Sequence, residues 1–394
     1  MRDNIEINME IIVIGSDHYN TLGVVRSLGK AGVKCHLIIT ETHMRSFVAS
    51  SKYVFRCIRT SGAQEEIVRS LLCLIEKIGN EQIVIVPTTD TAAIAIDEHY
   101  DDFGVNVIVP SCKGNMLKLS DKVFMKKLAE KASLNVPRYQ IRDLSVGTED
   151  NWNSFPAIIK PLRSIEGNKS DIKVVLEKEK LDEYLESIQK KGYSSVLIEE
   201  YIHSDDDYMI EYMGYVRKDG ECVISGVLKK IREYPLGRGS TSYAEIYPAL
   251  PDADLSGIRS FLMETGFYGI FDIEFKSDGK NAYFIEINFR NGAPSYALNA
   301  IGRNIIYDWI TDKAPEELSQ EFPNNGPVRV IHEFNDIKNY KKARMSFAKW
   351  YSQYKNAEVK LVYTPDDIKP VLSYILKRTW DKLVIKLRQK VIRK

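Results

Sequence analysis

The sequence predicts a multidomain protein of mixed α/β and α+β class, with a Rossmann-like parallel-sheet domain first and a two-lobed part after it. Three observations carry this expectation. From Ile11 to Pro110, short β-branched runs alternate with helical stretches, the pattern of βαβ units in a parallel sheet. From Phe155 onward the strands lengthen and alternate more strictly between apolar and polar residues, which points to a new sheet with one face open. The length, 394 residues, exceeds what one core of ordinary size organises, so two or three lobes are expected.

Within the first region, Ile11 to Ile14, Val33 to Ile39, Ile83 to Val86 and Val105 to Val109 are apolar enough to be strands buried on both faces, as a helix-covered parallel sheet requires. Leu22, Val25 and Leu28 fit a helix between the first two. Ligands collect outside the carboxyl ends of such strands, so the loops Gly15-Ser-Asp-His18 and Pro87-Thr-Thr-Asp90 are candidate contact points. Asp90 reads either as the cap of a helix starting at Thr91 or as a ligand contact. After Gly15 the next glycine is Gly23, which argues against a dinucleotide fingerprint. Ser120 to Ala132 reads as a capped helix with its exit at Pro137, and Glu179 to Lys190 and Ala253 to Thr265 as further helices. The expected divisions are 10–112, 113–205 for a linker helix and small lobe, 206–330 for a large lobe, and 331–394 for a C-terminal extension.

Hydrophobic residues make up 44% and charged residues 28%, which excludes a disordered, collagen-like or mainly membrane-embedded chain. Lys and Arg number 55 against 54 Asp and Glu, a net charge of +1, so no overall field calls for nucleic acid. Five scattered cysteines without a C-x-x-C pair argue against a disulfide framework or zinc knuckle and favour a reducing, cytoplasmic compartment. The polar opening residues hold no apolar leader, Met9 could serve as the start, and no run approaches a spanning helix. Charge is asymmetric only locally. Lys377 to Lys394 carries eight basic residues against one acid, Asp381, with Trp380, Leu383, Val384, Leu387 and Val391 at helical spacing. This reads as a C-terminal helix packed on the body, with peripheral attachment to the inner face of an anionic membrane as the alternative.

The segment from Gly269 to Pro294 is the most informative. Phe271, Ile273 and Phe275 should share one face of a strand, with Asp272, Glu274 and Lys276 on the other. After a turn at Ser277-Asp-Gly-Lys280, the return strand should place Tyr283, Ile285, Ile287 and Phe289 on the buried face and Glu286, Asn288 and Arg290 on the open one. Such a hairpin sets Glu274 beside Glu286. Two carboxylates this close repel unless a cation sits between them, and oxygen-only donors with an Asn suit Mg2+ far better than zinc. Asn291-Gly292 should let a ligand approach the backbone. The competing reading is a solvated polar face balanced by Lys276 and Arg290.

Two further motifs agree. Pro156-Ala-Ile-Ile-Lys160-Pro161 is a strand ending in lysine, and Leu162 to Ser170, with Arg163, Ser164, Gly167, Asn168 and Lys169, has the composition of a phosphate-covering loop. Val196-Leu-Ile-Glu199-Glu200-Tyr201-Ile202 is an apolar strand breaking into two carboxylates and an apolar pair, suited to offering backbone groups and one carboxylate to an adenine edge.

In order and spacing, Asp121-Lys122, Lys160-Pro161, Glu199-Glu-Tyr-Ile202, Glu274 and Glu286-Ile-Asn288-Phe-Arg290 resemble the ATP-grasp superfamily over about residues 113 to 312. Thr21-Leu-Gly-Val-Val-Arg-Ser-Leu-Gly29, with Arg45-Ser-Phe to Ser51-Lys-Tyr53, is similar to the ATP-dependent carboligases that include D-aspartate ligase. The resemblance implies a two-lobed ATP-grasp fold. Lys122 and Lys160 would hold nucleotide phosphates, joined by Lys169. Glu199, Glu200 and Ile202 would read adenine, and Asp207 would contact ribose. Glu274, Glu286 and Asn288 would ligate Mg2+, for which Mn2+ could substitute, and Arg290 would act with Lys160 near the transferred phosphoryl group. The glycine-poor phosphate loop departs from the family pattern.

The implied activity joins a small-molecule carboxylate to an amine through an acyl phosphate, with release of ADP and phosphate. His18, Asp90, Arg232, Arg238 and Ser240 are the candidate substrate contacts, against a surface hairpin for the Gly237-Arg-Gly-Ser-Thr241 loop. A small-molecule kinase, an acid–thiol ligase and a non-catalytic nucleotide binder are the alternatives. A homodimer completes the partner expectations.

Overall fold

The computed structural model describes residues 9–41, 46–79, 81–145, 151–162, 171–203, 208–235, 239–249, 255–318, 326–340 and 345–379. The first sheet holds β1 (Glu10–Gly15), β2 (Cys35–Ile39), β3 (Val54–Arg59), β4 (Ile83–Pro87) and β5 (Val107–Ile108), all parallel, in the order β3-β2-β1-β4-β5. The apolar run of β1 serves two cores at once. Ile11 and Val13 pack with Leu22 and Val25 of α1 (Tyr19–Lys30), while Ile12 and Ile14 pack with Leu71 of α2 (Gln64–Ile78) and Ala95 of α3 (Asp90–Glu98). Successive side chains point to opposite faces, so both faces of this central strand demand apolar residues. At the two edges the expectation needs correcting. The strand expected over Val105 to Val109 shrinks to β5, with Val105 fully exposed. β3 goes unread because Arg56 and Arg59 interrupt its apolar pattern, as befits an edge strand.

A short helix, α4 (Met116–Leu119), leads into α5 (Lys122–Lys131). Asp121 caps α5, its carboxylate accepting the N–H groups of Val123 and Phe124 at 2.9 Å each, which fixes Lys122 at the first helical position. The second sheet is antiparallel and small: β6 (Tyr139–Asp143), β7 (Ala157–Lys160), β8 (Lys173–Val175) and β9 (Ser195–Glu200), in the order β6-β9-β7-β8. Its inner face (Ala157, Ile159, Val196, Ile198) closes on Leu181, Leu185 and Ile188 of α6 (Lys178–Gln189) to make a core of its own.

The third sheet holds β10 (Tyr208–Val216), β11 (Cys222–Tyr234), β12 (Ser240–Tyr247), β13 (Gly269–Ser277), β14 (Ala282–Asn288), β15 (Val328–Ile331) and β16 (Val359–Lys360), in the order β14-β13-β10-β11-β12-β15-β16, with α7 (Ser256–Thr265) before β13. One hydrophobic cluster joins this sheet to the first, since Met213, Tyr215, Leu228, Ala244 and Trp309 pack with Ile11, Val13, Leu22 and Val25. Polar contacts reinforce the junction: Asn304 Nδ2 donates to the Ser27 carbonyl at 2.7 Å, and Asn291 Nδ2 to Asn20 Oδ1 at 2.6 Å.

The C-terminal segment is clasped to the first domain by Arg26, which is 1% exposed. Its guanidinium donates to Asp367 Oδ2 at 3.1 Å and to the carbonyls of Val362 and Asp367 at 2.9 Å each. Asp367 is saturated in turn by the Ser51 hydroxyl and the Lys52 N–H. Gly29 belongs to the same junction, because the ring of Tyr53 fills the space a Cβ would occupy. Residues 369–379 form a helix whose Tyr374 ring lies 5.0 Å from that of Phe47 and 4.8 Å from that of Phe334. Of the basic stretch from Lys377 to Lys394, residues 380–394 lie outside the described residues. Lys377 itself turns inward to Asp17 at 2.8 Å and Glu41 at 3.5 Å. No described helix is long and apolar enough to cross a membrane.

Candidate nucleotide and metal site

A cleft of about 400 Å³ opens between the small antiparallel sheet and the open face of the seven-stranded sheet, and reaches the start of α1 and α3. Its floor is built by strand register. Glu211 of β10 pairs with Glu274 of β13, and Glu274 with Glu286 of β14, so three carboxylates stand in a row across adjacent strands; one step along, Asp272 pairs with Asn288. Asp278 holds the intervening turn by accepting the Lys280 and Asn281 N–H groups, and Gly279 supplies the φ of +90° that the turn requires.

The hairpin departs from strict alternation. Glu274 faces Glu286 but Phe275 faces Phe284, leaving Ile285 as an extra residue in a β-bulge. Phe284 is therefore fully buried, with its ring 5.1 Å from that of Phe261 on α7, while Ile285 lines the cleft beside Glu286 instead of sharing the buried face with Ile287 and Phe289.

The row of carboxylates is compensated by groups with no local signature in the sequence. Lys230 of β11 places its ammonium 3.3 Å from Glu211 and 3.7 Å from Glu274. Burial opposes that charge, but the two carboxylates outweigh it and push the Lys230 pKa up. Thr241 donates its hydroxyl to Glu211 at 2.9 Å. Asp272 is buried, and its Oδ1 has no hydrogen-bond partner; burial, with Glu211 and Glu274 nearby, pushes its carboxyl well up. Gly292, expected to let a ligand approach the backbone, instead makes room for the Asp272 carboxylate, which a Cβ would strike.

Across the cleft, Lys160 ends β7 and Glu199 lies near the end of β9. Glu199 is 1% exposed and ion-paired to Lys160 at 3.1 Å and to Lys126 of α5 at 2.8 Å. Burial disfavours its charge, yet the two ammonium groups hold its carboxyl below the usual range. The Glu199 carboxylate is thus taken up by two lysines. The N–H groups of Glu200 and Tyr201 are also spent, on the carbonyls of Arg138 and Pro156, and the Glu200 carboxylate pairs with Arg138 at 3.1 Å. Ile202 follows at the cleft wall, with Ile158, Ile172, Met209 and Ile285 as further apolar lining. Lys122 stands between the two walls; burial lowers its pKa, as does nearby Lys160, against the pull of Glu286 and Glu199.

Asp90 does not cap α3: Thr89 does, its hydroxyl accepting the Ala92 N–H. The Asp90 carboxylate instead grips Arg290, at 2.7 Å to Nε and 3.4 Å to Nη2, and Arg290 Nη2 also donates to Asn288 Oδ1 at 3.0 Å. The first domain thus fixes a side chain two residues beyond the end of β14. Ser240 lines the cleft, as does Tyr19, which the sequence did not single out. His18 is exposed and caps α1, its Nδ1 accepting the Asn20 N–H at 3.2 Å. Arg232 does not line the cleft: it donates to Asp336 through Nε at 3.0 Å and Nη2 at 2.8 Å, over the ring of Tyr243. Lys169, Asp207 and Arg238 lie outside the described residues, as does most of the expected phosphate loop.

Glu274, Glu286 and Asn288 could offer a cation only oxygen donors, two carboxylates and a neutral amide whose Oδ1 already accepts from Arg290. Among the described residues no group of three or more His, Cys, Asp or Glu side chains is placed to hold a metal ion.

No family model matches the chain. Among curated proteins, it is similar to the D-alanine–D-alanine ligase of Aquifex aeolicus, 29% identical over 188 residues, which is 45% of this chain and 61% of the relative. The chain thus spans less than two thirds of that relative's length. Among solved structures, it superposes on the L-amino acid ligase of Bacillus licheniformis with a TM-score of 0.60 at 14% identity, over 81% of this chain and 78% of that one. The biotin carboxylase domain of the Hydrogenobacter thermophilus 2-oxoglutarate carboxylase, in complex with MgADP, ADP and bicarbonate, matches with a TM-score of 0.61 at 19% identity, over 81% of this chain and 73% of that one.

Proposed function

The chain has the ATP-grasp fold, and on that premise we propose that it is an ATP- and Mg2+-dependent carboxylate–amine ligase working through an acyl phosphate. The observation that carries the reading is the facing of Glu274, Glu286 and Asn288 on one wall against Lys160 and the Glu199–Ile202 segment on the other, with Lys122 between them. A cleft with an acidic floor and two cationic lysines above it suits a polyphosphate bridged to that floor by a divalent ion.

A carboxylate does not condense with an amine in water, because its carbonyl is electron-rich and oxide is a poor leaving group. In the proposed reaction a carboxylate oxygen attacks the γ-phosphorus and ADP leaves. The amine then attacks the acyl carbon and phosphate leaves with the original oxygen, giving an amide. Lys122 and Lys160 would hold the phosphates, and Arg290, aimed by Asp90, would meet the charge that spreads over the transferred group. Ile202 and its apolar neighbours would cover the adenine faces. Glu274, Glu286 and Asn288 would hold Mg2+, which neutralises phosphate charge when bound; Mn2+ takes the same oxygen donors and should substitute. The parallel with the named ligases, and with the MgADP complex of the biotin carboxylase domain, supports this reading.

A phosphate-release screen crossing amino acids, hydroxy acids and nucleotide sugars as acids and amines tests the proposal, with mass spectrometry of the product. Phosphate release that needs both partners, with an amide formed, is the expected result. A stable phosphorylated product from one partner would instead establish a kinase, and a thioester formed only with coenzyme A an acid–thiol ligase.

Two substitutions refine the roles. Lys160→Ala should lower kcat/KM for ATP by about 10²-fold, since it removes a fixed cation from the phosphates; Lys126 remains to pair with Glu199, so the circular dichroism spectrum should not change. Wild-type kinetics would reduce Lys160 to a partner of Glu199. Asp90→Asn should keep ATP binding but lower kcat about tenfold, because one charge-assisted bond that aims Arg290 is weakened. An unchanged kcat would mean Arg290 holds its position unaided.

A further inference from the structure

Asp272 is a buried carboxylate without a partner. It lines the cleft but is only 4% exposed, because its row of the sheet runs beneath the first domain: Met213, its neighbour on β10, is fully buried in the core shared with the first sheet. Asp272 Oδ1 accepts no hydrogen bond among the described residues. The cations at hand are committed elsewhere, Lys230 to Glu211 and Glu274 at 3.3 and 3.7 Å, and Arg290 to Asp90 at 2.7 Å and to Asn288 at 3.0 Å. The chain nevertheless makes room for this carboxylate, since a Cβ at Gly292 would strike it. A buried acid with neither cation nor donor is costly, and the fold around it supplies no compensation.

Its position narrows what could complete it. Asp272 pairs in register with Asn288, whose Oδ1 accepts from Arg290, so an unpaired carboxylate and a guanidinium flank the same amide. In the ligase reading, on which this inference rests, Arg290 meets the phosphoryl group passing to the carboxylate of the acyl donor. An α-amino acid carries its ammonium one carbon away from that carboxylate. It would therefore bring a cation with three N–H donors to the place where Asp272 lacks one. A 2-hydroxy acid in the same pose offers a single neutral donor. The acceptor amine does not suit the role, because it must attack with a free lone pair, and an ion pair at its nitrogen would keep it protonated. We propose that the acyl donor is an α-amino acid and that Asp272 binds its ammonium group.

Trapping with hydroxylamine tests this without knowledge of the acceptor. The donor carboxylate takes the γ-phosphoryl group of ATP and ADP leaves; the hydroxylamine nitrogen then attacks the acyl carbon and displaces phosphate, leaving a hydroxamate. The full chain is given MgATP, hydroxylamine and the proteinogenic amino acids in L and D forms, each beside its 2-hydroxy analogue. At least one amino acid should yield hydroxamate and ADP in step, with kcat/KM about 10²-fold or more above its hydroxy analogue. Asp272→Asn should raise KM for that amino acid about 10²-fold and shrink the preference to about threefold, with KM for ATP and the Mg2+ dependence unchanged. Should that variant unfold by circular dichroism, Gly292→Ala, whose methyl displaces the carboxylate, should raise the same KM about tenfold. A hydroxy acid activated as well as its amino acid, or a folded variant that discriminates as wild type does, would overturn the inference and leave the ligase reading standing. So would a higher Mg2+ requirement in Asp272→Asn, which would make Asp272 a metal ligand. Neither hydroxamate nor ADP from either class of acid would instead sink the ligase reading, and this inference with it.

Discussion

Glu286→Gln should lower turnover by about 10²–10³-fold while leaving the melting temperature nearly unchanged. The side chain stands on the open face of β14, opposite Glu274, and lines the cleft, so its loss removes no core packing. The substitution is close to isosteric and deletes one negative charge from a donor set that holds only two carboxylates and an amide. Relief of repulsion with Glu274 should if anything favour the folded state slightly. The check is a pair of measurements on one preparation: substrate-dependent phosphate release across a range of Mg2+ concentrations, and thermal unfolding. Partial rescue at high Mg2+ would place the defect in metal affinity. Full activity at ordinary Mg2+ would remove Glu286 from the metal site.

The largest effect on stability should come from Asp367→Ala, at about 3–5 kcal/mol, the usual cost of leaving a buried charge without its partner. Arg26 and Asp367 are both almost fully buried, and Asp367 also receives the Ser51 hydroxyl and the Lys52 N–H. Removing the carboxylate strands a guanidinium and frees two further donors at the place where the C-terminal segment meets the first domain. The double variant Arg26→Met/Asp367→Leu should recover much of the loss, because an apolar pair carries no desolvation cost. Denaturant unfolding of the three proteins decides it. A single variant within about 1 kcal/mol of wild type would mean that water reaches the pair.

Much of the candidate site was legible because its residues sit in local patterns. The alternation of β13, the turn at Asp278-Gly279 and the Glu-x-Asn-x-Arg return strand announced Glu274 beside Glu286 with Asn288 just beyond, and the register pairs Glu274 with Glu286 and Asp272 with Asn288. The bulge at Ile285 was not read, although three consecutive apolar residues, Tyr283, Phe284 and Ile285, broke the period and were the available signal. Glu211 and Lys230 escaped notice because strand pairing, not spacing, brings them to Glu274. Asp90 and Arg290, 200 residues apart, meet only through the docking of the first sheet on the third. Arg232 looked available because its partner, Asp336, lies 104 residues away. In each case the missing information is long-range contact, which local periodicity does not carry.

The hydrophobic cluster shared by the first and third sheets has a consequence for how the molecule opens. A core that takes Ile11 and Val13 from one sheet and Met213, Tyr215 and Leu228 from the other cannot lose one side without exposing the other, so the two should unfold as a single cooperative unit. The four-stranded sheet keeps a private core around Ile159, Leu181 and Ile198 and can open without disturbing that unit. Native-state hydrogen exchange should accordingly show amides of β1 and β10 exchanging only through global unfolding, with those of β7 and β9 released at a lower free energy. The Glu274–Glu286 wall of the cleft would then be a fixed anvil and the Lys160 wall the part with freedom to adjust.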